Sequence, residues 1–297
     1  MFKKSLAYPH LLWMTLFVIV PIVLVLIYSV TVVAIDGTTH IGLDNYIKFF
    51  DITYMKIFAT SLWIALLSTV FCLALGYPAA MILANKDRLR IQQGKKTTGM
   101  LMLFVMPMWM NMMLRTYSWL TILEKNGLLN MILRALNLPD ANGIVNTILG
   151  LFGIGTVKII YTNFAVILGM VYNFVPFMIL PIYSVLIKID ESIIEAAQDL
   201  GANSARIFFK IILPMSVPGI ISGITMVFLP SVTTFYISNI FGGGEIMLIG
   251  NVIEQRFLTG GDWNFGSAIS IIMMVLIFIS MKIMDLFNKD GQSSATL

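Results

Sequence analysis

The sequence predicts an all-α membrane protein with six transmembrane helices, and three observations carry that prediction. The first is composition: of 297 residues, 58% are hydrophobic and only 11% charged, whereas a soluble domain carries about 25% charged residues. Mean hydropathy is accordingly high, at +0.90. The second is six runs with little or no charge, each long enough for the roughly 20 apolar residues that cross a bilayer as a helix. They lie between Lys4 and Asp36, Lys56 and Lys86, Lys96 and Glu124 (interrupted by Arg115), Lys158 and Lys188, Lys210 and Glu245, and Asp262 and Lys282. The expected helices are near 11–33, 57–84, 99–122, 161–187, 217–240 and 264–286. The third is the placement of Lys and Arg, which cluster between the runs rather than within them.

The first run follows Lys3 and Lys4, as in a signal peptide. Its apolar core is longer than the usual h-region and no clear A-x-A site follows, so it is read as an uncleaved helix. The 85–98 loop holds Lys86, Arg88, Arg90, Lys95 and Lys96 against Asp87. The positive-inside rule assigns that loop to the cytoplasm, and both termini and the 190–214 stretch with it. The 36–56 loop, with Asp36, Asp44 and Asp51, then lies outside. In the long 123–160 connection, Leu129, Ile132, Leu133 and Leu136 recur at helical spacing, which predicts a short helix flat on the outer surface. The "GLFGIG" that follows reads as loop. Pro21, Pro78, Pro107, Pro176, Pro181 and Pro230 fall in or near spans, where neighbouring helices satisfy the carbonyls that proline frees.

Several function classes are excluded. In a membrane chain, a net charge of +4 is the signature of cytoplasmic loops, not of nucleic-acid binding. The lone Cys72 rules out a disulfide framework or a cysteine zinc site. His10 and His40 flank the first span and cannot pair along it, which leaves an intramembrane protease without its base. "GKKT" at 94–97 lacks the spacing of a phosphate-binding loop, and "GGGE" at 242–245 reads as a flexible turn.

One stretch stands apart. Between Lys188 and Leu213, four acids and three bases lie between two apolar runs. Ser192 and Glu195 match an S-x-x-E capping box. Ile193, Ala197 and Leu200 give the helix an apolar face, and Gly201 sits where a left-handed terminal residue is expected. Asn203 or Ser204 caps a second helix carrying Phe208, Ile211 and Ile212, ended by Pro214. A membrane-surface helix favours Lys and Arg; this one is acidic, so it reads as a docking element for a cytoplasmic protein.

"EAAQDLGANSARIFFKIILPMSVPGI" resembles the EAA signature of permease subunits of ABC importers, with Glu195, Ala196, Ala197, Gly201 and Pro214 on its key positions. "LGYPAA", "PMWMNMMLRTYSW", "GMVYNFVPFMILPIYS" and "GNVIEQRFLTGGDWNFGSAIS" are similar to spermidine/putrescine permeases of that class, so that the resemblance covers roughly residues 10 to 287. It implies a type I ABC importer permease (MetI-like) fold. The first helix and outer loop are then 1–56, the transmembrane core 57–287 with its coupling segment at 190–214, and a cytoplasmic tail 288–297. It further implies coupling contacts from Glu195, Ala196, Ala197, Asp199, Gly201 and Arg206 to an ABC ATPase dimer, where ATP and Mg bind. This chain itself is then non-catalytic and holds no cofactor. A second homologous permease, an extracytoplasmic polyamine-binding protein and membrane lipid complete the expected partners, in a bacterial plasma membrane. Another small solute is the alternative cargo; a stand-alone carrier or channel would not need the 190–214 segment.

Candidate path residues come from polar stripes, since polar groups inside a membrane face a cavity or bond a neighbouring helix. Asn111, Arg115 and Trp119 share one face of the third span; Ser231, Thr234 and Ser238 share one of the fifth; Tyr172 and Asn173 lie near Pro176 in the fourth. Trp109, Tyr117 and Tyr236 offer aromatic faces, either to cations or to the interface. No Asp or Glu sits deep within the six cores; Glu124, Glu245, Glu254 and Asp262 lie toward their outer ends. This pattern predicts a weak transit path, with Arg115 in an ion pair or backbone contact.

Overall fold

The computed structural model describes residues 7–33, 38–92, 99–124, 127, 128, 131, 132 and 161–294. Of the expected surface helix over Leu129–Leu136, only Met131 and Ile132 are described, and both are helical and exposed; its other residues, most of the 123–160 connection, and "GKKT" lie outside the described residues.

Helix dominates because the sequence offers long apolar runs whose backbone groups have no other partner in a bilayer. Ala7–Met14 (α1) and Val20–Val30 (α2) are joined by a π-helical turn, Thr15–Ile19. The run ends at Val30 rather than 33, because Thr31–Val33 (β1) turns extended and pairs antiparallel with Thr39–Ile41 (β2), Thr31 opposite Ile41. Three consecutive β-branched residues favour that switch. Asp44–Phe49 (α3) follows. Ile52–Gln92 (α4) is a single helix of 41 residues, begun by the Asp51 carboxylate accepting from Thr53 N. The cationic stretch read as a loop from residue 85 is therefore helical through Gln92, and Lys86, Arg88 and Arg90 ride on its last turns.

The third predicted span is not one helix. Met100–Val105 (α5) passes into a 3-10 turn at Met106–Trp109, Met110 is extended, and Met112–Leu123 (α6) starts afresh. Pro107 has no N–H to continue the ladder, and Asn111 caps the new start by accepting from Met113 N at 2.7 Å. Asn163–Leu186 (α7) runs unbroken despite Pro176 and Pro181. Glu191–Asp199 (α8) and Ser204–Ile207 (α9) follow. A π-helical stretch, Phe208–Ile212, then leads into Leu213–Thr233 (α10). Pro214 was expected to end this segment; instead the wider π turn accommodates its missing donor, and the helix runs on from Ser204 to Thr233. The fifth span also breaks: Thr234 is extended and Tyr236–Phe241 (α11) is separate. Ile249–Leu258 (α12) and Trp263–Ser294 (α13) complete the chain, α13 running well beyond the expected 286. Among the described residues, five helices are long and apolar enough to span, with Met100–Trp109 a shorter apolar piece.

Two compact units form. The first comprises residues 1–60 and 248–279, the second 61–247 and 280–297. In the first, Asn45 Nδ2 donates to Ser29 O and Thr31 O, and Tyr46 Oη donates to Ser29 Oγ, which ties α3 to the end of α2. In the second, α7 packs along α10, and glycines set the spacing. A Cβ on Gly219 would lie 2.9 Å from Pro181 O, and, where α7 meets α11, one on Gly169 would lie 2.6 Å from the Phe241 ring. Met170, Met178, Ile179 and Ile182 are fully buried there, and Tyr77 hydrogen-bonds Ser216 across α4 and α10 at 3.0 Å.

Candidate coupling segment and solute path

The candidate coupling segment begins where α7 ends. Ile187 N, Lys188 N and Ile189 N bond back to Tyr183 O, Val185 O and Leu186 O, which leaves a tight four-residue turn before α8. The cap of α8 is Asp190, whose Oδ1 accepts from Ser192 N at 3.1 Å. The expected S-x-x-E box at Ser192 is displaced, because the helix already starts at Glu191 and Ser192 lies inside it. Backbone and side-chain hydrogen bonds from Ser192 hold the Asp190 carboxyl below its ordinary value. A depressed carboxyl pKa supports the fold above the unfolded value, about 3.9, and that support is lost as pH falls through the folded value. Asp190→Ala is expected to speed amide hydrogen exchange at Ser192 and Ile193 at neutral pH, whereas Asp190→Asn, which keeps the acceptor, leaves it near wild type.

At the other end, Gly201 adopts φ +79. Its N–H donates to Gln198 O at 2.8 Å and Ala202 N donates to Ala197 O at 3.0 Å, a left-handed helix stop that glycine adopts without a Cβ penalty. Asn203 Oδ1 then caps α9 by accepting from Arg206 N. Glu195, Ala196, Asp199, Gly201 and Arg206 are all exposed, Ala197 is half-buried, and Leu200 is 88% exposed. The helix therefore presents an acidic, small-residue face with one projecting leucine. On its other side is a cavity of about 340 Å³ lined by Met81, Asn85 and Arg88 of α4, Glu191 and Ile194 of α8, and Phe208.

The candidate path residues are distributed unequally. In the second unit, Asn173 is buried on α7, and its Nδ2 donates to Gly169 O at 2.9 Å and to Thr116 Oγ1 at 3.4 Å. Trp119 meets Tyr172 edge to face, with ring centroids 5.0 Å apart. Tyr236 lies beside Thr116 and Tyr117, where α11 packs on α6. Arg115 is 7% exposed, and among the described residues its Nε and Nη1 have no hydrogen-bond partner. Asn111 is the cap of α6, outside the helix on which a shared face with Arg115 was expected. Trp109 and Tyr117 are exposed. Ser231 bonds its own helix at Val227 O, and the break at Thr234 separates it from Ser238, so the expected stripe does not form. The β-branched run Val232–Thr234, after Pro230, explains the break.

In the first unit, Glu254 sits half-buried on α12. Asp262 is occupied: its Oδ2 is 3.1 Å from Lys48 Nζ, and its Oδ1 accepts from Phe265 N at the start of α13. The Lys48 ammonium also stands 4.5 Å from the centroid of the Phe265 ring. Sequence reasoning missed this contact, since nothing in a pattern joins residues 214 positions apart.

Residues 76–290 match the family model for the binding-protein-dependent transport system inner membrane component. The chain belongs to that family. This inner membrane component is 36% identical over 285 residues to the spermidine/putrescine transport system permease protein PotB of Haemophilus influenzae, covering 93% of this chain and 92% of that one. It is 35% identical to PotB of Escherichia coli K12, covering 93% and 96%. The Escherichia coli inner membrane ABC transporter permease protein YdcU is 25% identical, over 81% and 74%. The fold matches a chain of a bacterial alginate ABC transporter in complex with an alginate pentasaccharide-bound periplasmic protein, with TM-score 0.68 and 17% identity over 95% of this chain and 92% of that chain. It also matches a chain of the inward-facing MetNI methionine ABC transporter, with TM-score 0.52 and 14% identity over 80% and 95%. The inner membrane component thus has the fold of an ABC importer permease, with its first predicted feature, an all-helical transmembrane core, intact.

Proposed function

We propose that the chain is the permease subunit of an ATP-driven importer of polyamines, spermidine or putrescine. The observation that carries this reading is 35–36% identity to PotB permeases across nearly the full length of both chains. The exposed face of α8, bounded by an acidic cap and a glycine stop, is the surface on which an ABC ATPase docks through Glu195, Ala196, Ala197, Asp199, Gly201 and Arg206. ATP and Mg bind in that ATPase dimer, and this chain is non-catalytic. A second, related permease supplies the other half of the translocation unit, and an extracytoplasmic binding protein delivers the cargo. Both termini and the coupling segment are cytoplasmic, a reading supported by the cationic end of α4 under the positive-inside rule.

Among the described residues, the candidate cargo path carries no buried carboxylate. Trp119, Tyr172, Asn173, Thr116 and Tyr236 provide aromatic faces and amide or hydroxyl oxygens, which attract an ammonium weakly and let it leave. Selectivity therefore resides in the binding protein.

In proteoliposomes holding the full complex, uptake of labelled spermidine or putrescine is expected only with ATP inside and the binding protein outside. Equal uptake without either component overturns the importer reading; ATP-dependent uptake of neither amine overturns the cargo. Single cysteines at Gln92 and Ala202 are expected to react with impermeant maleimide from the cytoplasmic face alone, and labelling from outside reverses the topology.

A further inference from the structure

We propose that Asp87 and Arg88, at the end of α4, are positioning residues that lock α4 to the last turn of α7, so that movement of the coupling helix carries both helices together. This rests on the coupling assignment of α8 above. Asp87 is 2% exposed, and its Oδ2 accepts from Tyr183 Oη at 2.8 Å. Its neighbour Arg88 donates through Nη2 to Leu186 O. Tyr183 and Leu186 lie one turn apart on α7, and Leu186 is its last residue. Consecutive residues of one helix thus hold two points on the final turn of another.

The chemistry suits the place. The last carbonyls of a helix have no partner within it and carry partial negative charge, so an arginine is favoured there. Leu186 O is shared between Arg88 and Ile189 N, which closes the turn leading to α8. Only residues 187 to 190 separate the clamped carbonyl from the start of α8. Leu186 and Ile189 are buried, so this connection is packed as well as hydrogen-bonded. The cavity beneath α8 has Arg88 on one wall and Glu191 and Ile194 on the other, so α8 is not solidly seated on α4 there. A push on α8 therefore reaches α4 through the turn and the clamp. Beyond the clamp, the Tyr77–Ser216 bond ties α4 to α10.

The test uses the complete reconstituted complex and reads amines imported per ATP hydrolysed. Substitutions along a coupling route change coupling by a few-fold to tens of fold. Arg88→Gln is expected to keep ATPase co-purification and ATP turnover within about two-fold while amine per ATP falls about ten-fold. Tyr183→Phe, which removes one hydroxyl, lowers that ratio by about three-fold, and Arg88→Lys, which keeps a cation at the carbonyl, recovers part of the loss. An unchanged ratio in both Arg88→Gln and Tyr183→Phe overturns the clamp, as does a parallel fall of co-purification, ATP turnover and uptake. If Arg88→Gln does not assemble, Tyr183→Phe decides alone. Gly201→Val and Glu195→Ala are measured alongside: no effect of either on co-purification or uptake removes the docking assignment, whereas an effect there with none at Arg88 or Tyr183 removes only the clamp.

Discussion

Gly201→Val is expected to reduce ATP-driven uptake at least about ten-fold while the chain still accumulates in the membrane. The reason is local. Gly201 holds φ +79, and a Cβ there would meet nothing within 4 Å among the described residues, so the Cβ itself creates no clash with them. What it adds is a left-handed backbone that a β-branched residue adopts at a cost of about 1–2 kcal/mol. The turn relieves that cost by opening, which tilts α8 away from α9 and displaces Glu195, Ala196 and Asp199 from the surface they present. On the docking role proposed for α8, the helix loses its fit before it loses its fold. Glu195→Ala removes a charge from the same face without touching the turn and is expected to weaken ATPase co-purification by a smaller factor. Normal uptake in both variants refutes the assignment of α8 as the docking element.

The second large effect is expected at Gly219, and it is one of stability. A Cβ there would stand 2.9 Å from Pro181 O and 3.1 Å from Ile182 Cα, both backbone atoms that no side-chain rotation can clear. Helices α7 and α10 must then separate along the length on which Met178 and Ile182 are buried. Overpacking of this kind costs about 1–3 kcal/mol. Gly219→Ala is expected to lower the thermal unfolding midpoint of the purified complex by several degrees, and Gly219→Val to prevent its accumulation. Equal stability of Gly219→Ala and wild type contradicts the close crossing.

The positions of these two effects differ in how legible they were. Gly201 was readable in the sequence because its signal is local: a helix-forming run with cap residues, a glycine, and another cap at Asn203. The same locality misassigned the first cap, since Asp190 and Ser192 are both cap residues and the choice depends on where α7 releases the chain. Gly219 carries no local signal at all; its importance comes from Pro181 on another helix. Arg115 was legible as an unusual charge, but not its burial. The stripe through Ser231, Thr234 and Ser238 assumed a period of 3.6 across a stretch where the helix stops.

By itself, the sequence determined that the chain is a helical membrane protein with a charged segment between its fourth and fifth apolar runs, because hydrophobicity and charge act through composition and local spacing. Its motifs also determined the family. Only the tertiary structure decided that the third run is two helices hinged at Asn111, that the fifth is continuous with α9, and that Asp87 and Arg88 grip the end of α7. Those outcomes depend on contacts between residues far apart in the chain, where backbone donors, carbonyls and volumes are matched only after the helices have packed.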